Sequence, residues 1–188
     1  MLNTPIDDGF GGTFKLSEIT AADKKCEFEF LYEFGQSFKN TTLFETANGY
    51  FEEKFKLRCP ELTDQSSTFD NGFFNGSIDL FFRYKNRFYI IDWKTNKLAA
   101  PHLYDNGKLC HAMANSRYYL QYMIYTAALF KYLKERLDQA GDEKELYEKS
   151  IGGVCYIFLR GFTGMENRGV FSDRLPWEML KKIEEIIG

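Results

Sequence analysis

Residues 76–94 read GSIDLFFRYKNRFYIIDWK. Two runs rich in β-branched and aromatic residues, 77–84 and 87–95, are separated by Lys85 and Asn86 alone. That pattern predicts two antiparallel strands joined by a tight turn. Side chains alternate along a strand. Phe88, Ile90, Asp92 and Lys94 therefore share one face, and Asp79 shares its face with Ser77 and Phe81. With Tyr84 opposite Arg87 across the turn, Asp79 falls opposite Asp92 and Ser77 opposite Lys94. Opposed Cβ atoms stand roughly 4.5–5.5 Å apart, and like charges so placed repel. On register alone, removing either acid is expected to relieve that repulsion. A divalent cation removes it too, and carboxylate oxygens suit magnesium or manganese. Lys94 adds a positive charge that can steady a phosphoryl transition state or position the attacking water. A D-x-K string is common by itself. Here both acids sit in apolar strands, between Ile78 and Leu80 and after Ile90-Ile91, where an unpaired carboxylate is costly.

Outward from this hairpin, residues 26–34 alternate Glu27, Glu29 and Glu33 with Phe28, Phe30, Tyr32 and Phe34, the period of a half-buried strand. Residues 1–12 read as an extended lead-in. Stretch 36–50 is ambiguous, and 51–70 reads as loop or short helix around Pro60. Stretch 96–116 holds Pro101 and Gly107 and reads as a long, partly helical excursion, a kind of segment that often carries function. Residues 117–137 give the best helix, with Tyr122, Thr126, Leu129 and Leu133 at helical spacing. Residues 141–149 read as charged and exposed, 153–159 as a buried strand, and 175–187 as a closing helix with Pro176 in its first turn. This order predicts a mixed α/β domain.

The chain has 188 residues, the size of one domain with a real core. Its net charge of −3 argues against strong DNA binding unaided, because phosphate contacts need Lys and Arg. It fits a domain that receives DNA from a partner. Cys26, Cys59, Cys110 and Cys155 lie far apart, without zinc spacing or a dense disulfide pattern, and read as reduced thiols of a cytoplasmic protein. No signal peptide or membrane span is visible.

The stretch 76–94 resembles the nuclease motif of the PD-(D/E)xK superfamily, and within it the C-terminal nuclease domains of RecB type found in exonuclease V. Residues 117–133, RYYLQYMIYTAALFKYL, resemble that family's Q-x-x-x-Y helix through Gln121 and Tyr125. GGVCYIFLRG at 152–161 resembles its last core strand, and LNTP at 2–5 the linker before the domain. The resemblance implies a restriction-endonuclease-like core: a mixed central sheet flanked by helices, in the order αβββαβ. It implies magnesium-dependent hydrolysis of DNA, as exonuclease or endonuclease, in recombination and double-strand-break repair, coupled to a helicase. RecC-like and RecD-like subunits would be partners, with no membrane association. Asp79 and Asp92, joined by the Trp93 carbonyl, would hold the metal, and Lys94, Gln121 and Tyr125 would complete the catalytic set. For Tyr125, core packing beside Tyr122 is the alternative.

Relatives of this type carry a histidine ligand on a helix upstream of the first core strand. His102 and His111, the two histidines here, lie after Lys94 and read as surface residues. The chain is therefore expected to be a single RecB-type nuclease domain, residues 1–188, cut from a larger helicase-nuclease and lacking that upstream helix, with weakened activity by itself. The alternative from another class is a catalytically weak nuclease-like module that guides DNA or docks a partner. Intact Asp79, Asp92 and Lys94 count against it. A free-standing phage or plasmid relative is a third reading, disfavoured by the LNTP linker.

Overall fold

The computed structural model describes residues 2–34, 38–61, 68–69, 72–105, 107–137, 141–165 and 168–188. The parts of the sequence readings at residues 1, 36–37, 62–67, 70 and 106 lie outside them. The elements are β1 (Ile6–Asp7), β2 (Thr13–Phe14), β3 (Lys24–Phe34), β4 (Phe38–Lys39), α1 (Asn40–Phe55), β5 (Thr68–Phe69), β6 (Gly72–Tyr84) and β7 (Arg87–Lys94). There follow α2 (Leu109–Asn115), α3 (Tyr118–Arg136), α4 (Glu143–Ser150), β8 (Ile151–Phe158), β9 (Val170–Asp173) and α5 (Trp177–Ile187), with short 3-10 turns at Leu16–Glu18, Ala21–Asp23 and Pro101–Tyr104.

Five strands form one sheet in the order β3-β6-β7-β8-β9. The pair β6/β7 is antiparallel, β7/β8 parallel and β8/β9 antiparallel. A mixed sheet flanked by helices is the predicted fold class, consistent with a PD-(D/E)xK-type core. Parallel neighbours require a long crossover, which residues 95–150 supply. β8 is buried along its whole length, as expected of a strand covered on both faces.

The chain divides into two compact units. The first comprises Met1–Phe28, Ser77–Ala112 and Gln139–Arg174. Its core is one face of the sheet: Leu80 and Phe82 from β6, Tyr89 and Ile91 from β7, Cys155 and Ile157 from β8. Ile6 and Phe14, from the β1/β2 ribbon, close that face. The Phe14 ring meets Phe82 edge-on at 5.1 Å, and Phe82 stacks on Tyr89 at 5.4 Å. α4 packs against β7 in this unit. Asp142 caps α4, accepting from the Lys144 N–H at 2.9 Å.

The second unit comprises Glu29–Gly76, Met113–Asp138 and Leu175–Gly188. Here α1, α3 and α5 pack on one another. Phe51 of α1 stacks on Tyr119 of α3 at 4.9 Å, and Phe130 meets Trp177 of α5 edge-on at 5.8 Å. Tyr32 of β3 is buried, with the Lys131 ammonium of α3 at 4.5 Å from its ring.

Five elements differ from the sequence reading or were not resolved by it. The ambiguous stretch 36–50 and the start of 51–70 hold α1. Leu43, Phe44, Ala47 and Phe51 form its buried stripe, which Thr41, Thr42 and Gly49, weak helix formers, obscure. The charged stretch 141–149 is exposed as read except at Leu146 and Tyr147, but from Glu143 it forms the helix α4, which buries those two side chains. β9 and the β1/β2 ribbon are too short to carry a period. Among the described residues no helix is long and apolar enough to cross a membrane.

Candidate active site

The hairpin turn sets the site. Lys85 and Asn86 have φ of 47° and 62°, left-handed values that a two-residue type I′ turn requires at both positions. This fixes Tyr84 opposite Arg87, and the ladder runs in that register to Leu80 opposite Ile91. The next pair in register would be Asp79 and Asp92. It does not form as a ladder pair: the Trp93 N–H donates to Asp79 Oδ2 at 2.9 Å. The Asp79 side chain thus replaces a backbone acceptor where β6 leaves β7. A strand residue's N–H and C=O point to the same side, so the Trp93 carbonyl lies on the β6 side of β7.

The alternation predicted for both strands holds. Leu80, Phe82, Tyr89, Ile91 and the half-buried Trp93 belong to the core face described above. Asp79, Asp92 and Lys94 have the opposite parity and share the other face, where Phe81 meets Phe88 at 6.2 Å and Phe28 at 5.0 Å. Asp92 is only 4% exposed. Lys94 Nζ stands 2.8 Å from Asp92 Oδ2. Burial pushes the Asp92 carboxyl above the usual carboxylate range; Lys94 opposes this by hydrogen bond and charge, and Asp79 adds to it. The repulsion expected between the two acids is therefore met in part by the chain's own lysine.

Tyr156 lies beside Asp92 in the parallel ladder, fully buried, with its ring 5.0 Å from Lys94 Nζ. It contributes a cation–π contact to the lysine. Sequence reasoning found its strand but not its role, because no pattern in 153–159 tells which residue pairs with Asp92.

Even-numbered β7 residues face β8, and the Lys94 carbonyl accepts from the Leu159 N–H at 2.9 Å. Arg160 Nε donates to the Thr95 carbonyl at 2.9 Å. The excursion after Lys94 is pinned to the same end of the sheet. Tyr104 Oη donates to the Asn96 carbonyl at 3.0 Å and accepts from the Leu98 N–H at 2.8 Å. Arg168 holds Asp105 at 2.9 Å and the Pro101 carbonyl at 3.0 Å. His102 and His111 are exposed, as expected of surface residues.

Gln121 and Tyr125 belong to the second unit. They share one face of α3, and Gln121 Nε2 donates to Tyr125 Oη at 2.8 Å. Tyr125 is 8% exposed, edge-on to Phe30 of β3 at 5.4 Å. Tyr125 is thus part of the core of this unit, its ring on β3 and its hydroxyl engaged by Gln121.

Among the described residues no three His, Cys, Asp or Glu side chains cluster as a metal site. The oxygens that this face offers are two carboxylates and the Trp93 carbonyl, all hard, and the buried Asp92 carboxylate is already paired with Lys94. That set fits a hard divalent cation better than zinc, which takes sulfur and nitrogen ligands.

No family model matches the chain. Curated relatives do. The RecBCD enzyme subunit RecB of Escherichia coli (strain K12) is 35% identical over 175 residues, covering 92% of this chain and 14% of that protein. The same subunit of Haemophilus influenzae is 37% identical over 116 residues, 61% of this chain and 9% of that protein. That of Buchnera aphidicola subsp. Acyrthosiphon pisum is 28% identical over 192 residues, 100% of this chain and 15% of that protein. The chain thus spans about a seventh or less of the length of these relatives. It is a RecB-related domain.

Proposed function

We propose that the chain is the C-terminal nuclease domain of a RecB-type helicase-nuclease, hydrolysing DNA phosphodiester bonds with magnesium, or manganese in its place. The observation that carries this is the convergence of Asp79, Asp92 and Lys94 on one sheet face where β6 and β7 part, with Lys94 Nζ 2.8 Å from Asp92 Oδ2. Asp79, Asp92 and the Trp93 carbonyl would hold the cation. When bound, it supplies charge against the phosphate and acidifies water. The Trp93 N–H fixes the Asp79 carboxylate. Tyr156 and Asp92 fix the Lys94 ammonium, so its charge needs little reorganisation as charge builds on the phosphate. In the second unit, Gln121 and Tyr125, joined by a hydrogen bond, would act as the Q-x-x-x-Y pair of a RecB-type nuclease.

The setting would be recombination and double-strand-break repair in the cytoplasm, with RecC-like and RecD-like partners. A helicase that delivers the strand would make a basic surface unnecessary on a domain of net charge −3. The test is cleavage of linear DNA by the full-length protein. Asp79→Ala, Asp92→Ala and Lys94→Ala should each lower cleavage by about a hundredfold or more and leave ATP hydrolysis and unwinding intact. Cleavage at the wild-type rate by Asp92→Ala would refute the proposal.

A further inference from the structure

We propose that Arg160 is a DNA-anchoring residue whose guanidinium grips a phosphate of the strand at the Asp79–Asp92–Lys94 site. The inference rests on the nuclease reading above and goes beyond the acids and lysine of that reading.

Arg160 follows β8 in a turn, as Thr95 follows β7, and the two strands are parallel, so both residues lie at the same end of the sheet. Its Nε bonds the carbonyl of Thr95, the residue next to Lys94. The arginine is exposed. Among the described residues it has no carboxylate partner, whereas the neighbouring Arg168 is taken up by Asp105 and the Pro101 carbonyl.

The turn that carries it is tied down by backbone hydrogen bonds and close packing. The Leu159 N–H donates to Lys94, the Phe158 N–H to Gly169 at 2.7 Å, and the N–H groups of Gly161 and Phe162 to Phe158. Gly161 lies so close to Tyr104 that an added Cβ would stand 2.4 Å from the ring. Gly169, with φ of 75°, backs onto Gly161. Tyr104 in turn holds the backbone of the segment after Lys94.

An exposed side chain with one nitrogen tied to the backbone has lost most of its rotamer freedom before any ligand arrives. Its two terminal nitrogens keep donors for a planar, bidentate contact, and arginine suits phosphate in that geometry. A structural role would be met by the single bond to Thr95. A charge held this way without an acid, tied to the backbone of the residue that follows Lys94, would offset the negative charge of the site for an incoming phosphate.

The probe is a short fluorescein-labelled single-stranded oligonucleotide, titrated with the chain in chelator, where nothing is cut, from about 0.05 M salt upward. Arg160→Gln keeps a donor for the Thr95 carbonyl and removes the charge. It should weaken binding several-fold and flatten the dependence of log Kd on log salt by about 0.7, the share of one phosphate on a single strand. Arg160→Lys should keep the slope and lose part of the affinity. Thermal melts of both variants should match the wild type. Unchanged affinity and slope in Arg160→Gln would overturn the proposal, and so would the absence of wild-type binding at the lowest salt. If Asp92→Ala abolishes cleavage while Arg160→Gln binds normally, only the anchor fails. If Asp92→Ala still cuts, the nuclease reading fails first.

Discussion

At the scale of residues, the buried pair of Asp92 and Lys94 changes what the register alone implies. Two carboxylates facing each other suggest that removing either relieves repulsion. With Lys94 at 2.8 Å, removing Asp92 instead strands a lysine whose side chain is 11% exposed. Breaking a buried ion pair from one side costs about 3–5 kcal/mol. Lys94→Ala should therefore lower the melting temperature in chelator by leaving Asp92 without its partner, and magnesium should return part of the loss. Equal melting of Lys94→Ala and wild type in chelator would contradict the pairing. Asp8 offers a test by pH. Burial opposes its ionisation, but the N–H groups of Phe10 and Gly12, each at 2.9 Å, and Lys85 at 3.5 Å outweigh burial and hold its carboxyl below the usual range. A depressed folded value means that the stabilisation is present above the unfolded pKa of about 3.9 and is lost as pH falls through the folded one. Asp8→Asn should thus melt below wild type at pH 6, with the gap closing towards pH 3. A gap that stays constant over that range would mean that the charge of Asp8 contributes nothing.

At the scale of elements, the hairpin was legible and the end of its ladder was not. Lys85-Asn86 and the alternation on both sides were enough to set the pairing from Tyr84/Arg87 to Leu80/Ile91, because turn geometry and a buried face together allow one register. Where β6 leaves β7, the Asp79 carboxylate takes over a backbone bond, and no periodicity encodes such a parting. α3 was legible from its apolar spacing; α1 was hidden by Thr and Gly, and α4 by the charged face that covers Leu146 and Tyr147. The roles of Tyr156 and Arg160 depend on which strand lies beside β7, a matter of topology that connects residues far apart in sequence. The turn after β8 gives an element-scale prediction. Gly161→Ala drives a methyl into Tyr104, and overpacking of this kind costs about 1–3 kcal/mol. Denaturant unfolding should show that loss; stability within about 0.5 kcal/mol of wild type would mean that Tyr104 gives way and does not pin the excursion.

At the scale of the whole molecule, a net charge of −3 over 188 residues leaves little counterion release to drive association with DNA. The isolated chain should bind duplex DNA weakly at about 0.15 M salt, and sub-micromolar affinity without a partner would reveal a basic surface strong enough to act alone. Weak binding by itself agrees with the proposal of a domain that receives its DNA from a partner. The proposed function requires something narrower, that Asp79 and Asp92 hold a divalent cation with Lys94 acting beside it. Calorimetric titration of magnesium, and then manganese, into wild type, Asp79→Ala, Asp92→Ala and Lys94→Ala tests that claim directly. The wild type should show a carboxylate-dependent site that either aspartate variant loses. Lys94→Ala should bind at least as tightly as wild type, because the competing ammonium on Asp92 is gone. A wild type that takes up no metal, or aspartate variants that bind as well as wild type, would contradict it.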